Sequence, residues 1–429
     1  MAQPIKIAIV GGGCSGLSSA AALTKRGFSV TVFESAHQLG GRTRGIEYQG
    51  LKLDNGQHIM LGAYHETLRL LAMADVDTTK YCMRLPLKLD MHHMTHAHHV
   101  SLNTPSYLPA PFHLLTGLMT AKGLPWSDKW AAIRFMLWAK RIHFKLKRDI
   151  SLEELFQHQQ QSIALIQFLW EPLCLAALNT PLHQASSQVF LHVLRDSFTR
   201  RKSDSDFILP RVDLTELIIT PLAKLIRKQG GEIRTGEKIT AIKQTAIGFE
   251  LIGSDISEEF SHLVLAIAPH QLKHISLPAA LSFKMNNLNY QAITTVYLQY
   301  ETNIVLPQIM MGLVGSLAQW VFDRGQLYGQ RGLFAIVISA HTPFEQSHEV
   351  LAQQVHAELN KLFPQLGAPL WHKVISEKRA TFSCDANANR PMSETNITNL
   401  WLAGDYIASD YPATIEGAIR SGLSVANML

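Results

Sequence analysis

The chain has 429 residues, 47% of them hydrophobic and 17% charged, with 39 lysines and arginines against 34 acidic residues for a net charge of +5. This length calls for more than one lobe, and because no apolar run exceeds six residues where a spanning helix needs about 20, a transmembrane bundle is excluded. Cys14, Cys82, Cys174 and Cys384 are too scattered for a disulfide framework or a Cys-x-x-Cys metal site, which points to a reducing, cytoplasmic setting.

In chain order, Ile5–Val10 reads as a short buried strand, Gly11–Gly16 as a turn, Leu17–Arg26 as a helix closed by Gly27, and Ser29–Phe33 as a second strand ending at Glu34. No signal peptide is expected there, since Ile5–Val10 is short and runs directly into glycines. The turn Gly11-Gly12-Gly13-Cys14-Ser15-Gly16 is a G-x-G-x-x-G. Gly11 permits the tight bend, Gly13 lets backbone approach a pyrophosphate, and Gly16 lets helix and strand pack closely. Cys14 and Ser15 open the helix, whose free N–H groups and dipole suit phosphate. Glu34 lies 18 residues beyond Gly16, where a carboxylate accepts from ribose hydroxyls. Leu39-Gly40-Gly41-Arg42-Thr43 follows, with glycines for close backbone approach and an arginine for phosphate. Asp54-Asn55-Gly56-Gln57-His58 reads by itself as a β-turn.

From Tyr64 to about Arg201 the pattern is mostly helical, broken by prolines around 105–111. In ten residues, His92, His93, His96, His98 and His99 raise the question of a metal. Alternation along a single strand puts 92, 96 and 98 on one face and 93 and 99 on the other. With no companion cluster of carboxylates or cysteines, the expectation is a polar loop or strand and no metal site. Residues 101–150 hold eight lysines and arginines against two aspartates, a net of +6, so the rest of the chain sums to −1. The back half, Ser127–Lys147, reads as a helix with apolar residues at spacings of three and four.

Leu214–Lys228 reads as a helix, Glu232–Thr235, Ile239–Ile242 and Leu263–Ala268 as strands, and Ile293–Tyr300, Gln319–Phe322 and Leu333–Ser339 as further strands. His348–Phe363 reads as helical, and the chain closes with a strand at Asn399–Ala403 and a helix from about Ala413. That strand leads into Gly404-Asp405, where the aspartate suits a ribityl hydroxyl or a phosphate-bound water. The final helix opens at Pro412-Ala413-Thr414-Ile415-Glu416-Gly417-Ala418, which turns an N-terminus at Thr414 and Ile415 toward the carbonyl edge of a heterocycle. Nucleotide-type signals at both ends predict an α/β protein whose Rossmann-like domain is assembled from residues 1–63, 207–270 and 385–429. A mainly helical, membrane-facing region (64–206) and a sheet-and-helix part of an α+β substrate domain (271–384) are inserted into it.

The fingerprint, the Gly-Gly-Arg run and the C-terminal Gly-Asp with Glu416-Gly417-Ala418 and Ser421-Gly422 together resemble the FAD-dependent amine oxidase and phytoene desaturase superfamily. Within it, Asp54–His58 with Leu61-Gly62-Ala63-Tyr64, Trp170-Glu171-Pro172-Leu173, Asn179-Thr180-Pro181, Leu209–Leu214, Gln319–Arg324 and Pro412–Ala418 are similar to the hydroxysqualene dehydroxylase branch. The resemblance implies FAD, with Gly56, Gln57 and His58 near the flavin and the Ile239 backbone near the adenine. It implies reduction of hydroxysqualene to squalene, on the route to hopanoids, by hydride from reduced flavin. Asp54, His58 and Tyr411 are the candidate acids for the leaving hydroxyl, with none assigned. A polyene desaturase, a flavin amine oxidase and a non-catalytic flavin-binding partner of a prenyl synthase remain alternatives. Cys384 precedes Gly404 by 20 residues, but Ser-Cys-Asp does not look like a covalent flavin site, so non-covalent FAD is expected. A substrate that lives in the bilayer implies docking of residues 105–148 on the inner face of the cytoplasmic membrane. No nucleic acid partner is expected, and the electron donor is left open.

Overall fold

Residues 5–94, 98–281, 288–341 and 344–429 are described in this computed structural model. The chain begins with strand Lys6–Val10, helix Cys14–Lys25 and strand Ser29–Glu34, and the two strands pair in parallel from Lys6↔Ser29 to Val10↔Phe33. Three later segments complete an all-parallel five-stranded sheet in the order Glu232–Thr235, Ser29–Glu34, Lys6–Val10, His262–Leu265, Leu400–Leu402. Ile7, Ile9, Val30, Val32 and Val264 are buried between helices, as β-branched runs in a covered parallel sheet must be. The first helix packs on the C-terminal helix Ile415–Met428, close enough that a Cβ on Gly422 would stand 2.1 Å from the Ser15 carbonyl oxygen. The carboxyl ends of the sheet strands point at one side of the molecule, where ligands bind in open α/β sheets.

The second sheet has seven strands in the order Trp371–Phe382, Tyr290–Gln299, Leu333–His341, Trp320–Asp323, Met310–Val314, Lys88–His93, His99–Asn103. Val296, Leu298, Phe334 and Ile336 on one face bury Leu351, Val355 and Leu359 of helix His348–Leu362. Part of the other face, including Leu89, Leu102, Ile293, Trp320 and Val337, walls a cavity.

Three local readings are revised. The stretch expected to be mostly helical from Tyr64 contributes strands at Cys82–Leu85, Lys88–His93 and His99–Asn103, because Leu89, Met91, Val100 and Leu102 alternate into the core. The basic helix runs Trp126–Arg141 and stops there, since His143 and Phe144 take positive φ of 54° and 56° and Phe144 turns inward. The helix expected over Leu214–Lys228 opens as a wide i→i+5 turn at Thr215–Ile219, and a second such turn occupies Ile166–Trp170. Each lies just before a proline, Pro221 or Pro172, whose missing N–H and bulky ring cannot sit in a regular α-turn. Among the described residues no helix is long and apolar enough to cross a membrane.

Candidate active site

The glycine loop is built around a space. Gly11 has φ +116°, and a Cβ there would meet the Ala266 carbonyl oxygen at 2.4 Å. A Cβ on Gly16 would stand 2.0 Å from the Gly11 carbonyl oxygen, so both glycines are required by protein packing alone. Gly13 differs, since nothing lies within 4 Å of where its Cβ would be. The protein leaves that side open at the N-terminus of helix Cys14–Lys25, as a pyrophosphate cradle requires. Glu34 closes one end, its Oε2 accepting from the Gly12 N–H at 2.8 Å and its Oε1 from the Ala36 N–H at 2.9 Å. Burial raises the pKa of Cys14, so it stays a thiol, 3.2 Å from the Thr43 hydroxyl.

Arg42 joins three distant segments. Its Nη2 lies 2.7 Å from Asp405 Oδ1 and its Nη1 donates to the Ala380 carbonyl at 2.8 Å. Arg390, which the sequence reading did not single out, shapes the loop beyond Asp405 by donating to the Asp405 and Tyr411 carbonyls at 2.9 and 2.8 Å. Thr414 caps the last helix, its Oγ1 accepting from the Gly417 N–H at 3.1 Å. The carboxylate of the fully buried Glu416 accepts from the Thr67 N–H at 2.9 Å, the Thr67 hydroxyl at 2.7 Å and the Glu66 N–H at 3.1 Å. The anion sits at the N-terminus of helix His65–Met73 and locks the two helices together.

The Asn55–His58 loop is held from behind. Arg324 is wholly buried. It donates to Gln57 Oε1 at 3.0 Å, to the Lys52 carbonyl at 3.1 Å and to Gln330 Oε1 at 2.6 Å, with its guanidinium 3.7 Å from the Tyr328 ring centre. Asp54 lies in the same layer, 1% exposed, accepting from the Leu214 N–H at 2.9 Å. Burial pushes its carboxyl up to about 6, but it is not part of the cavity wall. His58 is in that wall, and burial pulls its imidazole down to about 4, which keeps it neutral.

These pieces open into one cavity of about 880 Å³. Its polar end holds Gly11, Gly13, Cys14, Ser15, Glu34, Gly40, Gly41, Arg42, Gly56, Gln57, His58, Gly404, Asp405, Thr414 and Ile415. Of the residues expected to bind cofactor only Gly16 and Ile239 lie outside the wall. Gly16 sits in the helix–strand contact and Ile239 is a buried residue that opens strand Ile239–Gln244. The far end is apolar, walled by Leu87, Leu89, Leu102, Leu114, Leu118, Met136, Leu169 and Leu173. Tyr411, Asp196 and Asp410 of the wall belong to a polar cluster that the sequence reading did not assemble. Tyr411 Oη donates to Asp196 Oδ2 at 3.2 Å, Arg195 Nε binds Asp196 Oδ1 at 2.8 Å, and Arg195 Nη2 binds Asp410 Oδ2 at 3.1 Å. Tyr290 Oη and Trp320 Nε1 face the cavity as buried polar atoms without a protein partner. Cys384 is buried outside this wall.

An open phosphate cradle, a ribose-type carboxylate and a helix N-terminus on one cavity define a flavoprotein oxidoreductase site. The flavin-containing amine oxidoreductase family matches residues 14–429, and the chain belongs to it. Among individual proteins, it is 25% identical over 434 residues to the hydroxysqualene dehydroxylase of Zymomonas mobilis, covering 98% of each chain. It is 26% identical over 445 residues to that of Sinorhizobium fredii, covering 99% of this chain and 98% of the relative. The crystal structure of an oxidoreductase from Methanosarcina mazei superposes with a TM-score of 0.75 at 16% identity, covering 99% of this chain and all of the other, and shares the fold.

Proposed function

We propose that the protein is an FAD-dependent hydroxysqualene dehydroxylase that holds its flavin non-covalently. The observation that carries the reading is the continuity of one cavity from the Gly13 cradle to a long wall of leucines, which suits a polyisoprenoid. Reduced flavin, when bound, supplies hydride. The residues do the rest. The helix at Cys14 and the open face of Gly13 take the pyrophosphate, Glu34 the ribose, and Thr414 and Ile415 the heterocycle edge. The apolar wall excludes water from an allylic centre that becomes cationic as its C–O bond breaks. The leaving oxygen would take a proton from the wall and depart as water, leaving the carbon to accept the hydride that reduced flavin would supply. Of the three acid candidates, Asp54 lies behind the wall and His58 is neutral, so the role falls to Tyr411 beside Asp196. Cys384 is outside the wall, which supports non-covalent attachment.

The substrate reaches the cavity from a membrane in this reading. Leu114 and Leu118 of helix Phe112–Thr120 and Met136 of helix Trp126–Arg141 face the cavity. The same two helices expose Phe112, Leu115, Met119, Trp126 and Trp130 to solvent, with Lys122, Arg134, Lys140 and Arg141 around them. Lys129 does not belong to that surface, since it is buried and donates to the Met119 carbonyl at 3.0 Å. Aromatic residues beside exposed cations suit the headgroup region of an anionic leaflet on the cytoplasmic side. Anaerobic protein carrying photoreduced flavin is expected to convert hydroxysqualene to squalene as the flavin reoxidises, and absence of turnover would overturn the assignment. Sedimentation with anionic but not neutral vesicles tests the docking.

A further inference from the structure

The histidine run folds in a way that single-strand alternation misses. The chain reverses between strands Lys88–His93 and His99–Asn103, so that the two pair antiparallel, with Asp90↔Ser101, Met91↔Val100 and His92↔His99 opposite one another. His92 and His99 therefore share a face, and Asp90, two residues before His92, shares it too. Leu89, Met91, Val100 and Leu102 occupy the other face and are buried, which fixes which side the polar residues take. His96 lies outside the described residues.

We propose that Asp90, His92 and His99 bind a divalent transition-metal ion of the zinc class. One ligand atom from each lies within 4.8 Å of the other two. His92 Nε2 is 3.7 Å from Asp90 Oδ1, His99 Nε2 contacts the same oxygen, and the two imidazole rings stack with centroids 4.2 Å apart. Zn–N and Zn–O bonds of about 2.0–2.2 Å at tetrahedral angles place ligand atoms about 3.3–3.6 Å apart, so small rotamer changes complete the site. Two imidazoles and a carboxylate select zinc, cobalt or nickel over magnesium or calcium, which prefer all-oxygen sets. Asp90 is 7% exposed, with its other oxygen 3.9 Å from the Lys88 ammonium, while both histidines reach solvent and leave a fourth position to water. The strand His99–Asn103 is the edge of the seven-stranded sheet, and Leu89 and Leu102 behind the site wall the cavity. A bound ion would tie this edge strand to its neighbour on the side opposite the flavin, as a structural clamp that takes no part in the redox chemistry.

The test uses untagged, flavin-loaded protein stripped with chelator, titrated with Zn²⁺ by calorimetry and with Co²⁺ by visible absorption. One equivalent is expected, with affinity falling at least tenfold in His92→Ala and in His99→Ala. His99→Cys is expected to keep the site and add a thiolate-to-cobalt charge-transfer band. Far-UV dichroism and flavin content certify that the variants are folded. Absence of saturable binding by the parent protein overturns the proposal. So does binding that survives both alanine variants, including binding lost instead in a His96→Ala/His98→Ala variant.

Discussion

Arg324 Nη1 donates to Gln57 Oε1 across 3.0 Å, between residues 267 positions apart, from a guanidinium that is wholly buried. The buried guanidinium thereby holds the loop that presents Gly56 and His58 to the cavity. Replacing it leaves Gln57 Oε1 and Gln330 Oε1 without their donor, each at a cost of about 1–3 kcal/mol, while the Lys52 carbonyl keeps the Gln330 amide at 3.0 Å. Arg324→Met is expected to lose about 3 kcal/mol in urea unfolding and to weaken flavin retention. Arg324→Lys is expected to recover little, because one ammonium cannot reproduce a planar fork that serves three acceptors.

The two glycines of the loop predict opposite phenotypes. Gly16→Ala puts a methyl 2.0 Å from a backbone oxygen and should destabilise the protein with or without flavin. Gly13→Ala meets nothing in the protein, so the flavin-free form should melt as the parent does. Its methyl would occupy the space above the helix N-terminus, and flavin affinity should drop at least tenfold in a fluorescence titration. Equal flavin affinity in Gly13→Ala and the parent would mean that the pyrophosphate lies elsewhere.

Arg42 and Asp405 test the closure of the site at its polar end. Their 2.7 Å contact links the Gly40–Thr43 segment to the C-terminal loop, and Asp405 is buried. A charge-assisted hydrogen bond of this kind contributes about 1.5–3 kcal/mol. Asp405→Asn is therefore expected to weaken flavin binding about tenfold to a hundredfold, while Arg42→Lys keeps part of the parent's affinity, since an ammonium still pairs with the carboxylate.

What was readable beforehand was what local chemistry dictates. Strand–glycine–helix, Glu34 at a strand end and Thr414 at a helix start are each set by a handful of neighbouring residues, and the fold places them on one cavity. The supports behind them were not readable. Arg324, Arg390 and Glu416 act on residues that only tertiary structure brings near, and nothing in their immediate sequence marks a buried charge. The histidines failed for a different reason. Period-two alternation holds along one strand, and the reversal between His93 and His98 cancels it, bringing His99 back over His92.

Two buried groups, Asp54 behind the wall and His58 in it, carry titrations that oppose each other. Burial raises Asp54 from 3.8 to about 6, so its contribution to stability is present in full below 3.8 and is lost as pH rises through 6. Burial lowers His58 from 6.5 to about 4, so its contribution is present above 6.5 and is lost as pH falls through 4. Each is worth up to about 3 kcal/mol, and between about pH 4 and 6 they largely cancel. Thermal melting of the flavin-free parent should change little from these groups over that window. Asp54→Asn, which keeps the acceptor for Leu214, should lose stability as the medium is acidified, and His58→Gln should lose it as the medium is made more basic. Parallel curves for all three proteins would show that neither group is shifted.

Tyr411 carries the sharpest prediction about chemistry. Burial raises its phenol to about 12, so it holds its proton at neutral pH. Burial alone would raise Asp196 as well, but the hydrogen bond and charge of Arg195 outweigh it and leave the carboxylate lowered and ionised. A protonated phenol on the wall next to the start of the last helix can give its proton to a departing hydroxyl, with the Arg420 guanidinium 4.6 Å from its ring centre favouring the phenolate left behind and the Asp196 anion opposing it. A positioned general acid contributes about a hundredfold or more to rate. Tyr411→Phe should reduce kcat with hydroxysqualene by about that factor, with KM and the flavin spectrum near those of the parent. An acetate ester of the substrate leaves as a carboxylate and needs no proton, so parent and Tyr411→Phe should turn it over at similar rates. If the variant were equally slow with the ester, the tyrosine would be shaping the pocket, and the proton would have to come from another group.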